Sequence, residues 1–146
     1  MTATTTTATT PDYDEIVRVV QLYIDGFNGG GIDKFKEAFH EDAWIFFTDA
    51  EGALYKHLLT NCFEEWAAEG RANKANNTLI VGRVISVTQA GDVANVLLGF
   101  DNATDLSNSW VDFHSLIRID GVWKITNKTA THSSRAAWAA PEMSQR

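Results

Sequence analysis

The stretch WVDFHSLIRIDGVWKITNKTATH, Trp110 to His132, decides the fold. Apolar and polar residues alternate on both sides of Asp120-Gly121, a dipeptide that tolerates positive φ at both turn positions, so the stretch predicts a β-hairpin. A two-residue turn pairs Ile119 with Val122, and the ladder then sets Leu116 opposite Ile125, His114 opposite Asn127 and Asp112 opposite Thr129. Side chains alternate between faces, so Asp112, His114 and Asn127 share one face with Leu116, Trp123 and Ile125. A bulge would instead turn Phe113, Ser115, Thr126 and Lys128 inward. The residues leave both registers open.

An acid two residues from an imidazole, inside a stretch otherwise suited to packing, is the chemical question the hairpin raises. In the unbulged register His114 is the candidate general acid/base, because an imidazole titrates near ~6.5 and works in both protonation states around neutrality. Asp112 would orient it or favour its charged form, and Asn127 would fix its tautomer. The structural alternative is a satisfied core histidine, with Asp112 pairing with Lys128 or capping strand-end amides.

Upstream, Thr10-Pro11-Asp12 with Asp14 and Glu15 reads as a helix start, and Ile16, Val20, Tyr23 and Phe27 mark its buried face. The run Asn28 to Gly31 stops it. A second helix is expected over IDKFKEAFH, residues 32–40, with Ile32, Phe35 and Phe39 inward and His40 at its C-terminal end. A strand at Ala43–Phe47, a turn at Asp49–Gly52, a short strand at Ala53–His57 and a third helix from Asn61 to about Glu69 follow. From Thr78 the period changes to that of strands, TLIVGRVISV and DVANVLLGF, and then the hairpin. Helices segregated before a mainly antiparallel sheet predict an α+β fold. One domain is expected over 11–132, between a Thr-rich flexible tail at 1–10 and a C-terminal tail at 133–146 in which Trp138 is free to cover the domain or a partner.

The 12 basic and 19 acidic residues give a net charge of -7. With no basic run, nucleic acid and anionic membranes are excluded as expected partners. No apolar run reaches the ~18 residues of a membrane span, and a soluble, cytoplasmic protein is expected. The single cysteine, Cys62, rules out an intramolecular disulfide and reads as part of an apolar helical stripe with Phe63, Trp66 and Ala67. The four histidines lack metal-ligand spacing, so no metal is expected. The glycine run follows a helix instead of joining strand to helix, so no phosphate cradle or other cofactor site is expected.

YIDGFNGG, IDKFKEAFHEDA and VDFHSLIRIDGVWKITNK together resemble the nuclear transport factor 2-like superfamily, and within it the lumazine-binding-type, polyketide cyclase-like branch, over about residues 12 to 132. The resemblance implies a cone: a curved sheet wrapped around about three N-terminal helices, with an apolar cavity at its open end, often in a homodimer. Members include isomerases, dehydratases, polyketide cyclases and epoxide hydrolases, so fold alone names no reaction. In ketosteroid isomerase-like members a tyrosine on the first helix hydrogen-bonds the substrate oxygen, and Tyr23 stands at the similar place. Their general base corresponds to Phe47 and their second oxyanion donor falls near Ser115, so that machinery is not carried over.

The expected site therefore has His114, Asp112 and Tyr23 as catalytic residues, and Asn127, Phe27, Trp44, Phe46, Lys128 and His132 as ligand-binding ones. The expected partner is an apolar or planar small molecule, bound by a homodimer. Three functions compete: a cofactor-independent acid/base enzyme of isomerase, dehydratase or cyclase type, a noncatalytic binding module, and a homodimerising association domain. An enzyme predicts a cavity with at least two convergent polar side chains, a binder an almost wholly apolar one, and an association domain a filled cone.

Overall fold

The computed structural model describes residues 11–133. The readings of a tail over residues 1–10, of Thr10 as a helix cap, and of a tail from residue 134, Trp138 included, lie outside the described residues. Helix α1 spans Pro11–Asp25 and runs into a wider π-turn at Gly26–Gly30. Helix α2 is Ile32–Ala38 and α3 is Phe63–Asn76, the latter preceded by a 3-10 turn at Leu59–Cys62. The strands are β1 (Phe39–Thr48), β2 (Leu54–Leu58), β3 (Ile80–Ala90), β4 (Val93–Asn102), β5 (Trp110–Ile119) and β6 (Val122–His132). They form one six-stranded sheet in the order β2-β1-β6-β5-β4-β3, antiparallel except where β1 runs parallel to β6. The architecture is an α+β cone, with a curved open sheet folded over the helices.

Several boundaries differ from the sequence expectation. Helix α2 ends two residues early: Phe39 is already extended, and His40 lies on β1, where its Nδ1 accepts from the Asp42 N–H at 3.0 Å instead of capping a helix. Helix α3 runs on to Asn76, where Asn77 closes it in the left-handed conformation, and its cap position is Cys62, not Asn61. Both departures arise where polar, helix-compatible residues carry no local stop signal and packing decides.

The buried stripe of α1 is the expected one, with Ile16, Val20, Tyr23 and Phe27 all in the core. Helix α3 crosses the π-turn at contact distance: a Cβ at Gly70 would fall on the carbonyl oxygen of Gly26, so only glycine permits this approach. The turn is fastened to the sheet by Asn28, whose side-chain amide donates to the Ile80 carbonyl and accepts from the Ile80 N–H, both at 2.8 Å, standing in for a strand at the edge of β3.

Two bulges, on β3 and β6, contribute to the curvature, beside a register shift between Phe39 and Trp44 where β1 pairs with β6. In β3, Val84 pairs with Leu98 and Ser86 with Leu97, leaving Ile85 as an extra residue. In β6, Leu116 pairs with Ile125 but Ser115 pairs with Asn127, leaving Thr126 extra. Such bulges bend and further twist the strand that carries them. The hairpin turn is as read from the sequence: Asp120 and Gly121 have φ of 51° and 79°, and Ile119 pairs with Val122.

Candidate functional site

The bulge at Thr126 determines which side chains meet. It lies on β6 alone, so β5 keeps its alternation and Asp112 and His114 stay on the inner face with Leu116, each with 0% of its surface exposed. Beyond the bulge β6 changes parity. Lys128 sits opposite His114 and Ala130 opposite Asp112, both buried, while Asn127 and Thr129 face outward. The expected pairing of His114 with Asn127 and of Asp112 with Thr129 is therefore corrected by one residue. Of the bulged alternative, Lys128 is inward as stated, whereas Phe113 is 50% exposed and Ser115 points toward Asn95 on the outer face.

Three groups from three elements converge on one oxygen. Tyr23 on α1 donates its hydroxyl to Asp112 Oδ2 at 3.1 Å, His114 Nε2 lies 3.3 Å from the same atom, and Lys128 Nζ lies 3.8 Å from it. Asp112 Oδ1 and His114 Nδ1 have no hydrogen-bond partner among the described residues. The geometry assigns the neutral Nε2–H tautomer to His114, since a second ring proton would point into a site offering no acceptor.

The charges follow from burial and from these neighbours. Burial alone would raise the Asp112 carboxyl, but the Lys128 charge, with His114 and Tyr23, outweighs it and holds it below the ordinary carboxylate range. Burial pushes the His114 imidazole down, more than its bond to Asp112 and the charge of Asp112 lift it, and Lys128 adds to the depression. Burial, with the charge and hydrogen bond of Asp112, keeps Tyr23 protonated far up the pH scale. Burial also lowers the Lys128 ammonium, against the opposing pull of Asp112 and Cys62.

A cavity of ≈350 Å³ opens above this cluster. Its polar floor is Tyr23 and Lys128; Asp112 and His114 lie behind them and do not line it. The walls are aromatic, formed by Phe27, Phe47, Trp66, Phe100 and Trp110. Lys128 Nζ lies 5.7 Å from the Tyr23 ring centre and 5.6 Å from that of Trp66, within cation–π range. Ile45, Ile80, Glu69 and the amides of Asn73, Asn102 and Asn108 complete the lining. Burial in this wall and the nearby Glu65 raise the Glu69 carboxyl.

Of the residues singled out from sequence, Tyr23, Phe27 and Lys128 line the cavity, and Asp112 and His114 support its floor. Asn127, Trp44 and Phe46 do not reach it. They sit on the outer face of the sheet, Trp44 beside Asn127 and Phe46 beside Thr129, with Trp44 37% exposed and stacked against the Lys56 ammonium at 5.0 Å. Their parity follows from Ala43 and Ile45, which take the inner face of β1. His132 is half-buried and packs edge-on against Trp110, ring centres 5.3 Å apart, without lining the cavity. Asn73 was missed because α3 was ended too early, Trp66 because it reads as part of an apolar packing stripe, and Trp110 because it precedes the hairpin's central pattern; Glu69 carried no signal of its own. Among the described residues, no three His, Cys, Asp or Glu side chains gather as metal ligands would.

This cone is the fold of the nuclear transport factor 2-like superfamily. Within it the chain belongs to the family described as "Putative lumazine-binding", whose model matches residues 11–130. A nuclear transport factor 2-like protein of unknown function from Shewanella baltica OS155 superposes with a TM-score of 0.70 at 19% identity, covering 86% of this chain and 97% of the other. Another, from Methylobacillus flagellatus KT, gives 0.68 at 24% identity, covering 85% and 94%. The aldolase FrzH from a Cladobotryum species is 25% identical over 122 residues, which are 82% of this chain and 90% of that protein. No helix among the described residues is long and apolar enough to cross a membrane.

Proposed function

We propose that the protein is a cofactor-independent acid/base enzyme, of isomerase, dehydratase or cyclase type, acting next to a carbonyl group in a planar, mainly apolar small molecule. The observation that carries this reading is the floor of the cavity: a hydroxyl and an ammonium, both drawing on one buried carboxylate, beneath aromatic walls. Two convergent polar side chains in an unfilled cone is the pattern expected of an enzyme, not of a binder or an association domain. The volume lies within the range of about 300–1,000 Å³ typical of small-molecule pockets.

The chemistry follows from the protonation states. Tyr23 remains a phenol and, by turning its single O–H from Asp112 to a ligand oxygen, supplies a donor where enolate charge develops. Lys128, whose burial weakens its hold on a proton, first gives one up to solvent and as the amine accepts one from the carbon beside the carbonyl and returns it elsewhere. Asp112 stays ionised and holds Lys128 in place, and His114 acts as a positioning residue through Asp112. The relative named an aldolase supports this choice, because aldol reactions begin by activating the carbon beside a carbonyl.

The test is deuterium exchange. Planar aryl ketones such as acetophenone and β-tetralone are incubated with the protein in D2O, and binding and exchange of the α-hydrogens are both followed by NMR. Ketones that bind should exchange faster than in buffer, and Tyr23→Phe should slow that exchange by about 10²-fold. Ketones that bind yet exchange at the buffer rate would make the protein a binding module.

The same reading includes a homodimer formed through the outer face of β1, β6 and β5, where Trp44 and Phe113 are exposed and Phe46 is half-buried, with Asn127 and Thr129 between them. Sedimentation should show a dimer that Phe113→Glu converts to monomer; a monomeric wild-type protein would refute it.

A further inference from the structure

We propose that Lys128 is an imine-forming lysine, whose amine condenses with an aldehyde or ketone carbonyl of a ligand held in the aromatic cavity. This deepens the proposed function and rests on its reading of the cavity as a carbonyl site. Three observations single out Lys128. It is 6% exposed, yet it lines the cavity. Its ion-pair partner stands at 3.8 Å, beyond hydrogen-bond length, so the ammonium is held by charge and by two ring faces. Lys124, the other lysine of β6, shows the contrast: its Nζ donates to the carbonyls of Lys36 and Glu37 at 3.0 and 2.8 Å, which fixes it as a charged donor.

Burial eases the loss of a proton from Lys128, which passes to solvent through the cavity it lines. The Nζ lone pair attacks the carbonyl carbon, forming the C–N bond as the C=O π pair moves to oxygen. One proton from nitrogen and one returned from solvent pass to that oxygen, which leaves as water while the nitrogen lone pair forms C=N. Ammonium plus carbonyl thus becomes iminium plus water, with one positive charge before and after. The iminium keeps Asp112 as its counter-charge, and no oxidant or metal is needed. An iminium also draws electrons from the neighbouring carbon and so acidifies its hydrogens; in that form Lys128 is the electron sink and no longer the base.

The full-length protein is treated at neutral pH with benzaldehyde and sodium cyanoborohydride, raised until surface lysines react, and the benzylated sites are mapped by peptide mass spectrometry. The first benzyl group should appear on Lys128, ahead of the partly or fully exposed Lys34, Lys36, Lys56, Lys74 and Lys124. Lys128→Arg should lose this fast phase alone. Because the wild-type map needs no variant, it decides even if that substitution disturbs folding. An unlabelled Lys128 while surface lysines react overturns the imine. If ketone exchange persists in that case, the acid/base reading stands without it; if bound ketones do not exchange either, both readings fall.

Discussion

Asp112 is the residue on which the site depends, since Tyr23, His114 and Lys128 all address its Oδ2. Removing its charge strands a buried ammonium, which costs more than the pair contributes. Asp112→Asn should lower unfolding stability in urea by on the order of 3 kcal/mol, and adding Lys128→Met should recover most of it. Equal losses in the single and double variants would mean that the two residues are not coupled. The cluster also sets an acid limit. His114 titrates in the folded state below its ordinary 6.5, so between 6.5 and that lower value the unfolded chain binds a proton the folded chain does not, and stability falls as pH drops. Asp112, held below its ordinary 3.8, contributes stability that is lost on further acidification through its folded value. His114→Gln should therefore flatten the urea midpoint just below pH 6.5, leaving the later carboxylate fall intact; an unchanged profile would contradict the buried neutral imidazole.

At the scale of elements, one extra residue in β6 selects the partners. The hairpin turn and the buried stripe of α1 were legible in the residues, because Asp-Gly and a regular apolar period are local signals; the parity of Asp112 and His114 stayed open between two registers. Thr126 carries no such signal. Its bulge exists because the sheet must curve around the helices, a requirement set by the whole fold, and so Asn127 and Lys128 could not be told apart by pattern. Trp44 and Phe46 misled for a related reason, since aromatic character does not say which face of a strand a side chain takes. The joint between the π-turn and β3 is a second point where one residue stands in for an element. Asn28→Ala removes both bonds to Ile80 and should cost about 1–3 kcal/mol in urea unfolding, since it leaves the Ile80 amide unpaired; a loss below 0.5 kcal/mol would mean water replaces the amide at little cost.

For the molecule as a whole, the cone divides its side chains between two faces. The concave side holds the aromatic cavity above its polar floor, and the convex side carries Trp44, Phe46 and Phe113. Neighbours along β6 are thereby divided between them, Lys128 on the floor and Asn127 outside. That division is the central claim, and α-hydrogen exchange in a bound aryl ketone tests it most directly when Lys128→Met and Asn127→Ala are compared side by side. Loss of exchange by about 10²-fold or more in the first, with the wild-type rate in the second, is the predicted result. Wild-type exchange in Lys128→Met, or its loss in Asn127→Ala, would contradict it.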